Sequence, residues 1–182
     1  MTTYAALLRA INVGGRKLPM AELRGLLEGL GHAGVRTYLQ SGQAVFAADH
    51  GDEESLAAEI GRASRERFGF AVDVIVRDHA YLKAVVDACP FPAADLEGRQ
   101  LHATYFSAPV DAARYADIDA DAHRPEEFRL GDRVLYLYAP DGLGRSKLAD
   151  ALSRPRRTRD VIATSRNWNT VLKLVELTAA AE

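Results

Sequence analysis

The chain has 182 residues, a formal net charge of −2 at pH 7, and 48% hydrophobic and 26% charged residues. These proportions are ordinary for a globular protein and exclude an intrinsically disordered chain. Because Cys89 is the single cysteine, an intrachain disulfide and a multi-cysteine metal site are excluded. No secretory signal and no apolar run of about 20 residues is visible, so we expect a cytoplasmic protein without a membrane partner.

The first half of the chain predicts the order β-α-β-β-α-β. Pro19 suits the first turn of a helix that ends near Gly31, and the acidic stretch 49–54 suits the start of a second helix. A third apolar helix face follows Asp78, which can cap it. The predicted strands are 3–10, 35–40, 44–47 and 72–76. This order is that of the split-βαβ, or ferredoxin-like, fold.

The second half of the chain repeats this order by pattern, which indicates a duplication. Its predicted elements are a strand at 101–107, a helix at 110–118, a hairpin of 127–130 and 133–138, a short helix after Gly144, a strand at 159–163 and a helix at 165–179. We therefore predict an α+β fold with two ferredoxin-like subdomains, with mainly antiparallel sheets and helices on one face. The subdomains are 1–89, with an extra helix, and 99–182, with a C-terminal helix, joined by a linker at 90–98.

Basic residues stand at the start of three predicted helices, where the partial positive charge of the helix end disfavours them. The three segments are Gly14-Gly15-Arg16-Lys17, Gly144-Arg145-Ser146-Lys147 and Arg166-Asn167. Glycine lets backbone N–H groups approach an anion, and an adjacent cation neutralises it. The pattern predicts a phosphate or carboxylate ligand, although neither glycine loop has the Walker A spacing. Solvated surface arginines are the alternative at each place.

The predicted topology adds amide side chains to the first of these segments. In a split-βαβ unit the first two strands are parallel, so their carboxyl ends share one edge of the sheet, where Asn12 and Lys17 meet the turn at Gln40-Ser41. Polar residues that cap their own hairpin are the alternative. The candidate ligand-binding residues are Asn12, Gly14, Gly15, Arg16, Lys17, Gln40, Ser41, Gly144, Arg145, Ser146, Lys147, Arg166, Asn167 and Asn169.

Charge is distributed unevenly over the second half. Residues 145–173 carry a local charge of +6, and residues 111–127 carry −4. The basic segment suits nucleic acid, which binds cations by counterion release. It suits equally a pairing with the acidic segment, within the chain or across a homo-oligomer. In the last helix, the spacing of Trp168 with other apolar residues predicts a core anchor.

Signals for catalysis are weak, and the catalytic residues are unknown. The five histidines are scattered without a zinc-binding spacing, and no nucleophile elbow occurs, so we expect no metal and no cofactor. Ser146 beside Lys147 does not by itself place a base on a nucleophile. The sequence favours a binding protein for a nucleotide, another phosphorylated metabolite or nucleic acid. The alternatives are a structural module that forms a homo-oligomer and an enzyme that acts on a phosphorylated substrate.

Several blocks in the same order resemble the bacterial family called domain of unknown function 1697. The blocks are Leu8–Gly15, Tyr38–Gly42, Phe91-Pro92, Asp141–Leu148 and Arg166–Val171. The resemblance implies a small α+β protein with two ferredoxin-like subdomains, and it implies no established activity, substrate or cofactor. The chain departs from the family pattern at Gln43 and at Cys89, where asparagine is usual, and Cys89 on an apolar helix face predicts a core residue.

Overall fold

The structure is a computed structural model that describes residues 1–9, 17–38, 42–49 and 51–179. The chain divides into two compact units, and the division falls within two helices, so that each unit contains part of both. The first unit is Met1–Lys83 with Leu174–Glu182, and the second is Ala84–Lys173. Among the described residues, no helix is long and apolar enough to cross a bilayer.

The first unit contains a four-stranded sheet in the order β2-β3-β1-β4. Its elements are β1 (Thr2–Arg9), α1 (Met20–Gly29), β2 (Ala33–Tyr38), β3 (Gln43–Ala48), α2 (Glu53–Phe68) and β4 (Asp73–Asp78), and α3 (His79–Asp87) follows. All three neighbouring strand pairs are antiparallel. Because β1 and β2 both run antiparallel to β3, they are parallel to each other, which confirms the predicted ferredoxin-like order.

Local sequence explains where the helices of this unit begin and end. The side chain of Asp52 accepts a hydrogen bond from the Ser55 amide at 2.7 Å and so caps α2. Gly69, at φ +80°, ends α2 in the left-handed conformation that favours glycine. Leu27 on α1 and Ile60 on α2 are fully buried against Phe46 and its neighbours on one sheet face. Burial of each such side chain contributes about 1.5–3 kcal/mol.

The second unit contains a sheet of the same strand order, β6-β7-β5-β8. Its elements are β5 (Leu101–Phe106), β6 (Glu127–Gly131), β7 (Val134–Tyr138), α4 (Lys147–Leu152) and β8 (Ala163–Asn167), and α5 (Trp168–Ala179) begins directly after β8. Phe106 and Leu137 from the sheet pack with Leu148 and Leu152 of α4. The predicted hairpin and the predicted short helix after Gly144 are confirmed.

The helix predicted at 110–118 is wrong. The chain forms two short 3-10 turns instead, Ala112–Tyr115 and Ala120–His123. The side chain of Asp111 accepts from the Ala113 amide at 2.9 Å, and that of Asp119 accepts from the Asp121 amide at 3.1 Å. Such side-chain bonds compete with the helical backbone pattern and favour turns.

The elements predicted at 159–163 and 165–179 are misplaced. The strand is Ala163–Asn167, and the helix begins at Trp168. Thr164 and Arg166 are buried while Ser165 and Asn167 are exposed, and this alternation is the period of a strand. The side chain of Asn167 then accepts from the Thr170 amide at 3.0 Å and caps the helix. Trp168 is 4% exposed, as expected for a core anchor.

Candidate functional site

The second predicted basic segment forms a short loop between β7 and α4. Gly142 takes φ +82°, and Leu143–Arg145 forms a 3-10 turn. Ser146 is 3% exposed, and its side-chain oxygen accepts from the Ala149 amide at 2.9 Å. Ser146 is therefore the N-cap of α4, and its hydroxyl is engaged in holding the start of that helix.

Two cations of this loop point away from the protein interior. Arg145 and Lys147 are exposed, whereas Ser146 between them and Leu148 after them are buried and anchor the segment. Within the described part of the chain, the side chains of Arg145 and Lys147 make no hydrogen bond and no ion pair. A Cβ atom added at Gly144 would meet no atom within 4 Å, so packing does not require glycine there.

Most of the first predicted segment lies outside the described residues. These positions are Asn12, Gly14, Gly15, Arg16, Gln40 and Ser41. Lys17 is described and is exposed ahead of α1. The strand order places the carboxyl ends of β1 and β2 at one edge of the sheet, as expected. A site at this edge stays a prediction.

The third predicted segment does not stand at a helix start. Arg166 lies on β8 with 7% exposure, and its Nη1 donates to Thr164 Oγ1 at 2.5 Å and to the Ser165 carbonyl at 2.9 Å. Burial lowers the pKa of Arg166 to about 10. Asn167 caps α5, and the side chain of Asn169 lies 2.4 Å from where a Cβ of Gly98 would stand. These side chains are engaged with the protein itself, so the structure does not gather them around one cavity.

The basic and acidic segments of the second unit pair with each other. Arg157 is 4% exposed, and its guanidinium donates to the Asp117 carboxylate at 2.7 and 3.2 Å. Arg156 donates to the same carboxylate at 2.7 Å. These bonds, from Arg157 first and Arg156 second, hold the pKa of Asp117 well below its usual range. Arg114 donates to both oxygens of Asp160 at 2.6 and 2.8 Å.

A pocket in the first unit was missed by sequence reasoning. It has a volume of about 310 Å³ and lies between the end of α1, the end of β3 and the start of α2. His32 Nε2 lies 3.1 Å from Glu59 Oε1 in its wall, and the His32 ring packs on Phe46 with centroids 4.6 Å apart. No local spacing links His32 with Glu59, so no motif could have indicated the pair. Among the described residues, no group of three or more His, Cys, Asp or Glu side chains is placed to hold a metal ion.

The two sheets of identical strand order define an α+β protein with two ferredoxin-like subdomains. A family model described as "Protein of unknown function (DUF1697)" matches residues 1–136. The chain belongs to this family, which confirms the resemblance seen in its motifs.

One solved structure similar to this chain is that of the conserved bacterial protein SP0830 from Streptococcus pneumoniae. It is 22% identical, covers 98% of this chain and 99% of its own, and superposes with a TM-score of 0.79. At this identity the likeness shows the fold alone. No curated protein sequence matched the chain.

Proposed function

We propose that this protein binds a small anionic ligand, a nucleotide or another phosphorylated metabolite, at residues 142–147, which we call the basic loop. The observation that supports the proposal is the pair of exposed cations, Arg145 and Lys147, which no carboxylate of the described chain neutralises. An external anion would provide charge-assisted hydrogen bonds that the protein itself does not provide there.

The basic loop differs from most other arginines of its unit. Seven arginines of the second unit each lie within 3.6 Å of a carboxylate oxygen: Arg99, Arg114, Arg124, Arg129, Arg133, Arg156 and Arg157. Asp141 and Asp150 are close to the basic loop in sequence, yet neither forms an ion pair with Arg145 or Lys147. Carboxylates are therefore available close by in the sequence, but the fold does not pair them with these two cations.

Backbone donors and open space favour a ligand at the same place. The first amide groups of a helical turn have no intrahelical acceptor, so the turn at 143–145 offers N–H groups beside the two cations. The open side of Gly144 allows a ligand atom to approach the backbone closely. Leu143 is 37% exposed and offers an apolar surface next to the charged groups, which suits a ligand with an organic part.

The ion pairs of the second unit favour a small ligand over nucleic acid or self-association. Because Arg114, Arg156 and Arg157 are already paired with carboxylates, they contribute little to a phosphate-backbone surface. The same ion pairs join the basic and acidic segments within one chain. Fewer unpaired charges therefore remain for ion pairs between the subunits of a homo-oligomer. Among the described residues, no carboxylate or histidine forms a hydrogen bond or an ion pair with Arg145 or Lys147, so the enzyme alternative has no general base in its support.

Isothermal titration calorimetry with ADP and with inorganic phosphate tests the proposal. We expect the double variant Arg145→Ala/Lys147→Ala to bind ADP at least about tenfold more weakly than the wild type, a loss of about 1.4 kcal/mol or more. Arg154→Ala/Arg159→Ala is the matched control, because it removes two exposed cations of the same unit that form no ion pair in the described chain.

Three outcomes would contradict the assignment. They are no ADP binding to the wild type, equal binding to the wild type and the loop variant, and an equal loss in the control variant. A duplex DNA titrated over a salt series separates the nucleic-acid alternative, since phosphate-backbone binding weakens steeply with salt.

A further inference from the structure

Strand β6 forms one edge of the second sheet, so half of its backbone groups face away from the sheet. Among the described residues it pairs with β7 alone. The Ala139 amide, just after β7, donates to the Gln100 carbonyl at 2.8 Å, on the side of β5. Because the backbone groups of successive residues alternate between the two sides of a strand, Tyr136 and Tyr138 turn theirs toward β6. The hydrogen-bonded positions of β6 are therefore 127, 129 and 131, which lie opposite 138, 136 and 134.

The backbone groups of Phe128 and Leu130 consequently face the outer edge of β6. These residues lie opposite Leu137 and Leu135, which turn toward β5, so their own N–H and C=O groups point outward. An edge of this kind is a template on which another strand can pair. Arg129 lies between the two residues and occupies part of the edge, because its Nη1 donates to the Phe128 carbonyl at 2.8 Å.

Two further contacts hold the Arg129 side chain at this edge. Its guanidinium lies over the Phe91 ring, 6.0 Å from the centroid, and its Nη2 lies 3.6 Å from Glu127 Oε1. A strand that pairs with β6 must displace the guanidinium from the Phe128 carbonyl and remove a charged group from water, which is unfavourable. Two copies of β6 that paired with each other would also bring two such cations onto one short ladder, where like charges repel.

The same contact recurs at two other edge strands. Arg77 Nη1 in β4 donates to the carbonyl of the preceding residue at 2.8 Å, and Arg166 Nη1 in β8 does so at 2.9 Å. Those carbonyls also point outward, because the residues opposite them, Ala6 and Thr104, turn toward the strands on their other sides. Arg77 and Arg166 are buried, whereas the Arg129 side chain is 55% exposed. Of these three edges, the one at β6 is therefore accessible to a partner.

We infer that the edge of β6 is a latent pairing surface for a second copy of this chain, and that Arg129 keeps it closed. Two identical strands around a two-fold axis match in length and in the spacing of their outward groups. Phe128 and Leu130 are only partly buried against the core of the second unit, and antiparallel pairing would cover their exposed parts. The inference does not depend on the anion bound by the basic loop.

Sedimentation velocity of the full chain over a series of protein concentrations tests the inference. We expect Arg129→Thr to self-associate at least about tenfold more strongly than the wild type, because threonine favours a strand but cannot reach the Phe128 carbonyl. Arg99→Thr is the matched control. It removes another exposed arginine of the same unit, whose partner is the Glu97 carboxylate and not an edge carbonyl, and it should associate as the wild type does.

Amide hydrogen exchange of the same proteins, measured by nuclear magnetic resonance, locates the contact. The Leu130 amide faces the outer edge, so we expect it to exchange fast in the wild type and to become protected in Arg129→Thr as the protein concentration rises. The Leu137 amide, which is bonded toward β5, should stay protected in all three proteins and so reports that the sheet is intact.

Four outcomes would overturn the inference. They are a wild type that already associates with a protected Leu130 amide, an Arg129→Thr variant that associates no more strongly than the wild type, an equal gain in Arg99→Thr, and association of Arg129→Thr that leaves the Leu130 amide unprotected. The last outcome would place the contact on another surface.

Discussion

The two units have the same strand order but support their sheets by different means. In the first unit, each crossover between strands contains an α-helix, of 10 residues in α1 and 16 residues in α2. In the second unit, the first crossover contains two 3-10 turns, and the second contains the six-residue helix α4 between two further 3-10 turns. A long helix satisfies its own backbone and presents an apolar stripe to the sheet, and the second unit has much less of both.

In the second unit, whose crossovers contain only short helical segments, the side chain of Arg157 forms hydrogen bonds to both crossovers. Its guanidinium donates to the carbonyl of Arg114 in the first crossover at 2.6 Å and to the carbonyl of Ala151 in the second at 2.7 Å. The same group donates to Asp117. Buried carbonyls of irregular segments need donors, and here one buried side chain serves both crossovers. The comparison teaches that the same strand order tolerates crossovers with long helices and crossovers with short helical turns, where a buried guanidinium adds hydrogen bonds to the apolar packing.

The largest effect that we predict comes from removing the Arg157 side chain and its hydrogen bonds to the two crossovers. Arg157→Ala should lower the free energy of unfolding by about 3–5 kcal/mol, because two carbonyls lose the buried guanidinium that donates to them, at about 1–3 kcal/mol each, and the packing of a long buried side chain is lost. Urea denaturation at pH 7 measures the change.

Arg156→Ala is the control for this prediction. Arg156 binds the same carboxylate, but its side chain is 56% exposed, so we expect a loss below about 1 kcal/mol. Equal losses in the two variants would show that the second unit does not depend on the buried Arg157 side chain, and the contrast between the units would fail.

The stability of the first unit should depend instead on its buried apolar side chains. Ile60 is fully buried on α2, and Ile60→Ala should cost about 2–4 kcal/mol in the same denaturation experiment. Ile60→Val removes a single methyl group and should cost about 1 kcal/mol. A cost below that of the valine variant would mean that α2 does not hold the sheet by its apolar face.

Lowering the pH should destabilise the second unit through His102, at pH values above those at which carboxylates take up protons. Burial lowers the pKa of His102 from 6.5 to about 4, and its Nδ1 has no hydrogen-bond partner among the residues that the structure describes. The folded chain therefore stays neutral at His102 while the unfolded chain takes up a proton, so stability falls as the pH drops from about 6.5 towards 4.

Denaturation midpoints at pH 7 and pH 5 measure this effect. We expect His102 to account for a loss of up to about 2 kcal/mol between the two pH values. His102→Leu should remove that part of the loss, since leucine does not titrate. Equal losses in the wild type and the variant would contradict a buried neutral histidine. Asp117, whose pKa is lowered, contributes only below the usual carboxyl range.

The sequence predicted the strand order because it depends on local signals that repeat in both halves. Alternating and apolar runs placed the strands other than β8, and the acidic stretch 49–54 and the cap at Asp78 marked helix starts that the structure confirms. The helix at 110–118 was wrong because apolar spacing alone does not reveal that Asp111 and Asp119 bond to nearby amides.

The candidate sites were harder to predict because a basic residue in the sequence does not reveal whether its side chain is buried. Arg166 was predicted at a helix start and Arg157 counted only toward the charge of residues 145–173, yet strand alternation buries Arg166, and Arg157 is buried while it donates to carbonyls. Arg145 and Lys147 were located correctly at the start of α4. His32 and Glu59 are joined only by the fold, and such a contact between distant residues has no sequence signal.

The smallest effect that we predict concerns the cap of α4, the short helix on which the second unit relies. Ser146→Ala removes the acceptor for the Ala149 amide and should cost about 1 kcal/mol by urea denaturation. Ser153→Ala, at the other end of the same helix, removes an exposed bond to the Asp150 carbonyl at 3.3 Å and should change stability by less than about 0.5 kcal/mol. Because α4 has only six residues, its cap satisfies a large share of its end groups. A Ser146 variant as stable as the Ser153 variant would mean that Leu148 and Leu152, through their packing alone, hold this helix as the long helices of the first unit are held.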